Sequence, residues 1–262
     1  MYNKELKIAK LAAREAGKYL GKEFLLWSRG KARYKTNREL VTKCDKQAEK
    51  IIFSHIKKHF PDYAILSEES GKQDKPSNYM WVVDPLDATT NFTIHHPLFA
   101  TSISLLHKNE VVVAVTYGPI LDEMYWATKN GGAFKNNKKL SIAPYKPLNK
   151  TILSYNHGRG LSNTKKSFKI YQHFHLKAFK CRNMQCTSLQ TAMVAAGSID
   201  GYVVSGAKLW DVAAGILLIK EAGGLVTDWK NRPWNKNSKN ILAAEAKIHS
   251  TCLKELRKIG LA

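Results

Sequence analysis

Between Trp81 and Phe92 the chain reads WVVDPLDATTNF: a short apolar, β-branched run, two aspartates three residues apart, then small and hydroxylated residues. The run WVVD, bounded by turn residues, predicts a buried strand. Its end sets the problem that the fold has to solve. Two ionised carboxylates about 4 Å apart repel by on the order of 4 kcal/mol at an effective dielectric of about 20. A segment built this way is either a solvated turn or a place prepared for a cation.

The surrounding pattern places that strand in a mixed architecture. Ile8, Leu11, Ala12, Ala16, Tyr19 and Leu20 recur at helical spacing, so the first stretch predicts an amphipathic helix and no signal peptide. A second helix is expected from about Asp45, with Ile51, Ile52 and Ile56 inward and Pro61 closing it. Residues 99–140 read as an antiparallel meander, with turns at Lys108-Asn109, Gly118-Pro119 and Gly131-Gly132. The second half alternates ILSYN, GYVVS, GLVTDW and NILAAE with helices at Lys165–His175, Ser188–Ala196, WDVAAGILLIKEAGG and Ala246–Lys258. Strands interleaved with helices in both halves point to an α+β or layered α/β fold, read as an N-terminal half 1–145 and a C-terminal half 146–262 in one compact unit.

Composition narrows the function little. Of 262 residues, 44% are hydrophobic, an ordinary globular value that leaves enough for a large core. The formal charge is +21, from 42 Lys and Arg against 21 Asp and Glu. It is spread over several Lys- and Asn-rich segments, which fits a solvated basic surface as well as an anionic or nucleic-acid partner. Cys44, Cys181, Cys186 and Cys252 show no metal-ligand spacing, so reduced thiols in a cytoplasmic protein are expected. The longest apolar run, around Val111–Val115, is too short to span a bilayer.

Carboxylates recur where strands or loops meet helix starts: Glu68 after AILS, Asp84 and Asp87 after WVV, and Asp211 at the head of WDVAAGILLIKEAGG. Taken singly, each has a plain reading: a turn at Asp84-Pro85, helix caps at Asp87 and Asp211, a surface position at Glu68. Taken together, without cysteine or histidine partners, they form a hard oxygen set suited to Mg²⁺, with Mn²⁺ as a substitute. Backbone N–H groups at Ala88, Thr89 and Thr90 would add an anion site beside the cations, a pairing that suggests phosphate chemistry.

These residues resemble the inositol monophosphatase family. WVVDPLDATTNF is similar to its D-P-[IL]-D-G-T-x-N-F motif, WDVAAG with EAGG downstream to its W-D-x-A-A-G motif, SEES to G-E-E-S, and KTNRELVTKCD to K-x-x-x-D-L-V-T-x-x-D. The four motifs occur in order over most of the chain. The resemblance implies the family's layered αβαβα sandwich and Mg²⁺-dependent, Li⁺-sensitive hydrolysis of a small phosphate monoester, inositol 1-monophosphate first. It implies that Glu68, Asp84 and the Leu86 carbonyl hold one Mg²⁺, and that Asp84, Asp87 and Asp211 hold a second. A third would also use Glu68. Thr89, hydrogen-bonded to Asp45, would orient the attacking water, while the amides of Ala88 and Thr89 would receive phosphate. A homodimer is implied as well.

The pattern departs in places. Ala88 replaces a glycine, which costs about 1 kcal/mol or more if the backbone there uses glycine's freedom. Glu39 replaces an aspartate. QCTSLQ (185–190) stands where the family has G-[ST]-A-A-x-[DN], and Val204 where animal members place a ring-contacting glutamate, so Thr187 and Val204 are the candidate substrate-pocket positions. The alcohol side is therefore open to histidinol phosphate, a sugar bisphosphate or a 3′-phosphoadenosine nucleotide. Some bacterial relatives partner the transcription machinery, which leaves an RNA-binding or partner role as a reading of another class.

Overall fold

Strands Ala100–His107 and Glu110–Gly118 are buried along almost their whole length, so their sheet has to be covered on both faces. The computed structural model, which describes residues 2–28, 32–36 and 39–262, does this in five layers. Helices Asn3–Leu26 and Lys43–His59 cover one face of an eight-stranded sheet. Helices Thr187–Ala195 and Leu209–Glu221 fill the space between its other face and a five-stranded sheet. Leu161–His175 and Ala246–Lys258 close the far side. This is the layered α+β sandwich that the sequence suggested.

The meander over residues 99–140 is antiparallel as expected. The large sheet is parallel at one pairing, between Ala64–Ser67 and Tyr79–Asp87. Both of those strands deliver their C-terminal ends, and with them Ser67-Glu68 and Asp84–Asp87, to one edge of the molecule. The smaller sheet pairs Ile152–His157 in parallel with Gly201–Ser205. All four cysteines are buried and free. No helix among the described residues is long and apolar enough to cross a membrane.

Several boundaries differ from the sequence reading. The second helix starts at Lys43, because the Thr42 hydroxyl and the Asp45 carboxylate cap it reciprocally. The third long helix starts at Leu161, and the small-residue helix runs Thr187–Ala195. Leu11 faces solvent at 41% exposure although its spacing put it on the inward stripe. The polar stretch after Gly71 begins with a strand, Gly71–Gln73, that pairs with Ala64–Ser67.

The two middle helices approach closely at Gly215. A Cβ built there would lie 2.0 Å from the Thr191 hydroxyl oxygen. Gly215→Ala would gain up to about 1 kcal/mol of helix propensity but meet an overpacking cost of about 1–3 kcal/mol. We expect a net loss of about 1–2 kcal/mol by urea unfolding; a stabilised variant would show that the helices can part freely.

Candidate active site

Residues three apart on a regular strand point to opposite faces, yet Asp84 and Asp87 reach the same cavity. The register explains it. Asp84 pairs with Ser102 and Asp87 with Ala100, so three steps on one strand face two on its neighbour. That extra residue is a β-bulge. Pro85, which has no N–H to give to the ladder, sits inside it, and its carbonyl accepts from the Thr101 hydroxyl at 3.0 Å.

Oxygens of Glu68, Asp84 and Asp211 lie within 4.8 Å of one another. Asp84 is 1% exposed, and its Oδ1 has no hydrogen-bond donor. Burial, then the charges of Glu68, Asp87 and Asp211, push its carboxyl well above the usual range. Asp211 is pushed up to about 7, by burial first and then by Asp87. It also accepts from the Lys208 N–H at 2.9 Å, so it caps its helix and faces the cluster at once. Glu68 takes an ion pair from Arg159 at 3.0 Å.

Asp87 borders the cavity without joining that close group. Its Oδ2 accepts from the Ser188 N–H at 2.7 Å, the Ser188 hydroxyl at 2.5 Å and the Cys186 thiol at 3.2 Å. Burial raises its carboxyl, and these donors pull against that. Asp45 lies behind the cavity wall, with Oδ1 2.9 Å from the Thr89 hydroxyl and Oδ2 held by the Thr42 N–H and hydroxyl. Burial pushes it up to about 6. The Thr89 hydroxyl is also 3.1 Å from the Leu86 carbonyl. Ala88 has φ 72 and ψ 47, the left-handed region. The helix that follows is short, Thr89–Thr93.

The cavity, about 200 Å³, is walled by these acidic residues on one side. Asn156, His157, Arg159, Gln185, Thr187 and Lys208 face them. Leu86, Thr90 and Trp210 border it too, and Trp81 packs beneath in the outer core. Thr187 is therefore on the wall, where its hydroxyl accepts from the Asn156 side chain at 3.0 Å. Val204 is not: it is 2% exposed within the middle apolar cluster. Of the KTNRELVTKCD motif, Asn37 and Arg38 lie outside the described residues, as do the side chains from Lys35 to Glu39.

Asn156, His157, Arg159 and Lys208 are not among the candidates drawn from the sequence; His157 ends the strand Ile152–His157. The available signal was position, because loops at the C-terminal ends of parallel strands form ligand crevices. Two glycines shape that rim: a Cβ on Gly158 would lie 1.8 Å from the Gly206 carbonyl oxygen.

The raised carboxyls set a pH dependence. An aspartate that keeps its proton longer when folded makes the native state bind more protons, so stability falls as pH rises through the folded value. Between pH 6.5 and 8 in chelator, Asp211 alone should remove about 1 kcal/mol, or about 2–4 °C of Tm. His249, held near 4 by burial, acts in the opposite sense, mainly below pH 6.5, and offsets about 0.4 kcal/mol of that loss within the window. A saturating divalent cation should flatten the slope in thermal scans; an equal slope with and without cation would rule out the carboxylate cluster as its source.

The profile of the inositol monophosphatase family matches residues 1–261. An inositol-1-monophosphatase of Mesorhizobium japonicum is 35% identical over 252 residues, covering 94% of each chain. The Nus factor SuhB of Escherichia coli is 36% identical over 258 residues, covering 96% of this chain and 95% of the relative. The crystal structure of the extragenic suppressor protein suhB from Bartonella henselae matches with a TM-score of 0.93 and 31% identity, over 98% of this chain and 99% of that one. With the profile spanning nearly its whole length, this chain belongs to the inositol monophosphatase family.

Proposed function

We propose that the protein hydrolyses a small phosphate monoester, inositol 1-monophosphate to inositol and phosphate, with Mg²⁺ as its cofactor. The observation that carries this is Asp84: one of its buried oxygens meets no donor, and its carboxylate lies within 4.8 Å of those of Glu68 and Asp211. An all-oxygen acidic set of this kind fits a hard divalent cation. Glu68, Asp84, Asp87, Asp211 and the Leu86 carbonyl would hold two or three Mg²⁺, or Mn²⁺ in its place. Such ions, when bound, lower the pKa of water and offset charge on the leaving oxygen.

The chain's own groups do the positioning. Asp45 accepts the Thr89 hydroxyl proton, which leaves the Thr89 oxygen lone pairs free to accept from a water and aim it at phosphorus. The three donors on Asp45 keep that carboxylate an acceptor near neutral pH. Ala88, Thr89 and Thr90 border the cavity, and their amides would receive phosphate oxygens, so charge would meet fixed dipoles as it develops. Asn156, Thr187 and Gln185 supply the polar wall against which the hydroxyls of a polyol would lie. Li⁺ sensitivity and a homodimer belong to the same reading.

Purified protein should release phosphate from inositol 1-monophosphate with Mg²⁺ and not with EDTA, and Asp84→Asn should lower kcat by at least about 100-fold, given the several kcal/mol such an ion supplies. Release unaffected by EDTA would sink the proposal. Rates across inositol phosphate, histidinol phosphate, a sugar bisphosphate and a 3′-phosphoadenosine nucleotide fix the alcohol, since a polar wall rejects a mismatched partner strongly.

The Nus factor name of the 36% identical relative and the +21 charge favour a second reading, an RNA or transcription-machinery partner. Single-stranded RNA should then bind at low salt, weaken steeply as salt rises, and bind Asp87→Asn equally well. Absence of binding at low salt would remove it.

A further inference from the structure

Asp87 is a metal-side carboxylate of one sheet whose geometry is set by a helix of the other half. We propose that Ser188 is a positioning residue that presents Asp87 to a bound divalent cation through a single oxygen. This rests on the cation reading above and adds to it a residue outside the carboxylate set.

Three donors converge on the same oxygen, Oδ2: the Ser188 amide at 2.7 Å, the Ser188 hydroxyl at 2.5 Å and the Cys186 thiol at 3.2 Å. Ser188 is fully buried and Asp87 nearly so, so no solvent competes for those bonds. The Ala88 N–H also bonds to the Asp87 carboxyl; with three donors on Oδ2, Oδ1 is the oxygen left to offer a cation at the cavity that Asp87 borders. The carboxylate is thereby held to one-oxygen ligation and to one rotamer. Partners that orient a ligand in this way commonly change metal affinity by about 10–100-fold when removed.

The serine hydroxyl is the decisive donor. A thiol is a weak donor, and Cys186 sits 3.2 Å away, so the Ser188 O–H carries most of the side-chain restraint. A hydroxyl at 186 would reach the same oxygen, because that side chain already points to it. The chain's arrangement can therefore be moved by two atoms: remove the hydroxyl at 188, supply one at 186.

The test measures Mn²⁺ binding by calorimetry without substrate, and the Mg²⁺ concentration for half-maximal phosphate release, on wild type, Ser188→Ala and Ser188→Ala/Cys186→Ser. Ser188→Ala should weaken Mn²⁺ binding and raise the half-maximal Mg²⁺ concentration by about 10-fold or more, with KM for substrate at saturating Mg²⁺ little changed. The double variant should recover most of the loss, which a general packing defect would not do. If Ser188→Ala fails to fold, Ser188→Cys, with similar volume and a weaker donor, carries the same expectation. Equal metal affinity in wild type and Ser188→Ala, or no recovery in the double variant, overturns the inference. Wild type that binds no Mn²⁺ overturns the cation reading itself, a result distinct from a normal wild type with an indifferent variant.

Discussion

Asp84 is the group around which the site is organised. Its carboxylate is buried at the end of a strand, beside Asp87, Asp211 and Glu68, with one oxygen that no donor reaches. Isolated burial of such a charge is strongly unfavourable, and a neighbouring like charge makes it worse. The fold tolerates the position because every other carboxylate there is held by something else. Asp211 takes the Lys208 N–H, Glu68 takes Arg159, Asp87 takes Ser188, and Asp45 takes Thr42 and Thr89. The repulsion that remains is concentrated on Asp84, where a cation would relieve it most.

The partners come from distant stretches of chain. The bulge in Tyr79–Asp87 turns two aspartates to one side. Helix starts at Thr42 and Lys208 supply caps whose carboxylates, Asp45 and Asp211, also face inward. The helix Thr187–Ala195 crosses between the sheets to reach Asp87. The same carboxylates thus cap helices locally and converge across the fold, which explains how residues that read individually as helix caps can also build a site.

The carboxylates and hydroxyls were legible in the sequence because their chemistry is carried by residue type and short spacing. The bulge was not, since register depends on the partner strand and not on the segment itself. QCTSLQ reads as a departure on the alcohol side, and Thr187 does reach the cavity wall, but Cys186 and Ser188 turn toward Asp87. Val204 marks a replaced position in the sequence and an apolar core position in the fold. Arg159 and Lys208 carried no local signal apart from charge; the sheet order put them opposite the carboxylates.

Ala88 shows where the turn's order comes from. A left-handed alanine is disfavoured by about 1–2 kcal/mol, and its methyl packs, partly buried, against both the outer and the middle apolar clusters, which offsets part of that. A glycine there could sample both signs of φ in the absence of any anion. Alanine, once packed, has little conformational freedom left to lose. The loss of freedom that an anion would otherwise impose on this turn has already occurred when the chain folds. The turn is then a rigid part of the scaffold, and a ligand arriving there would find it already in shape.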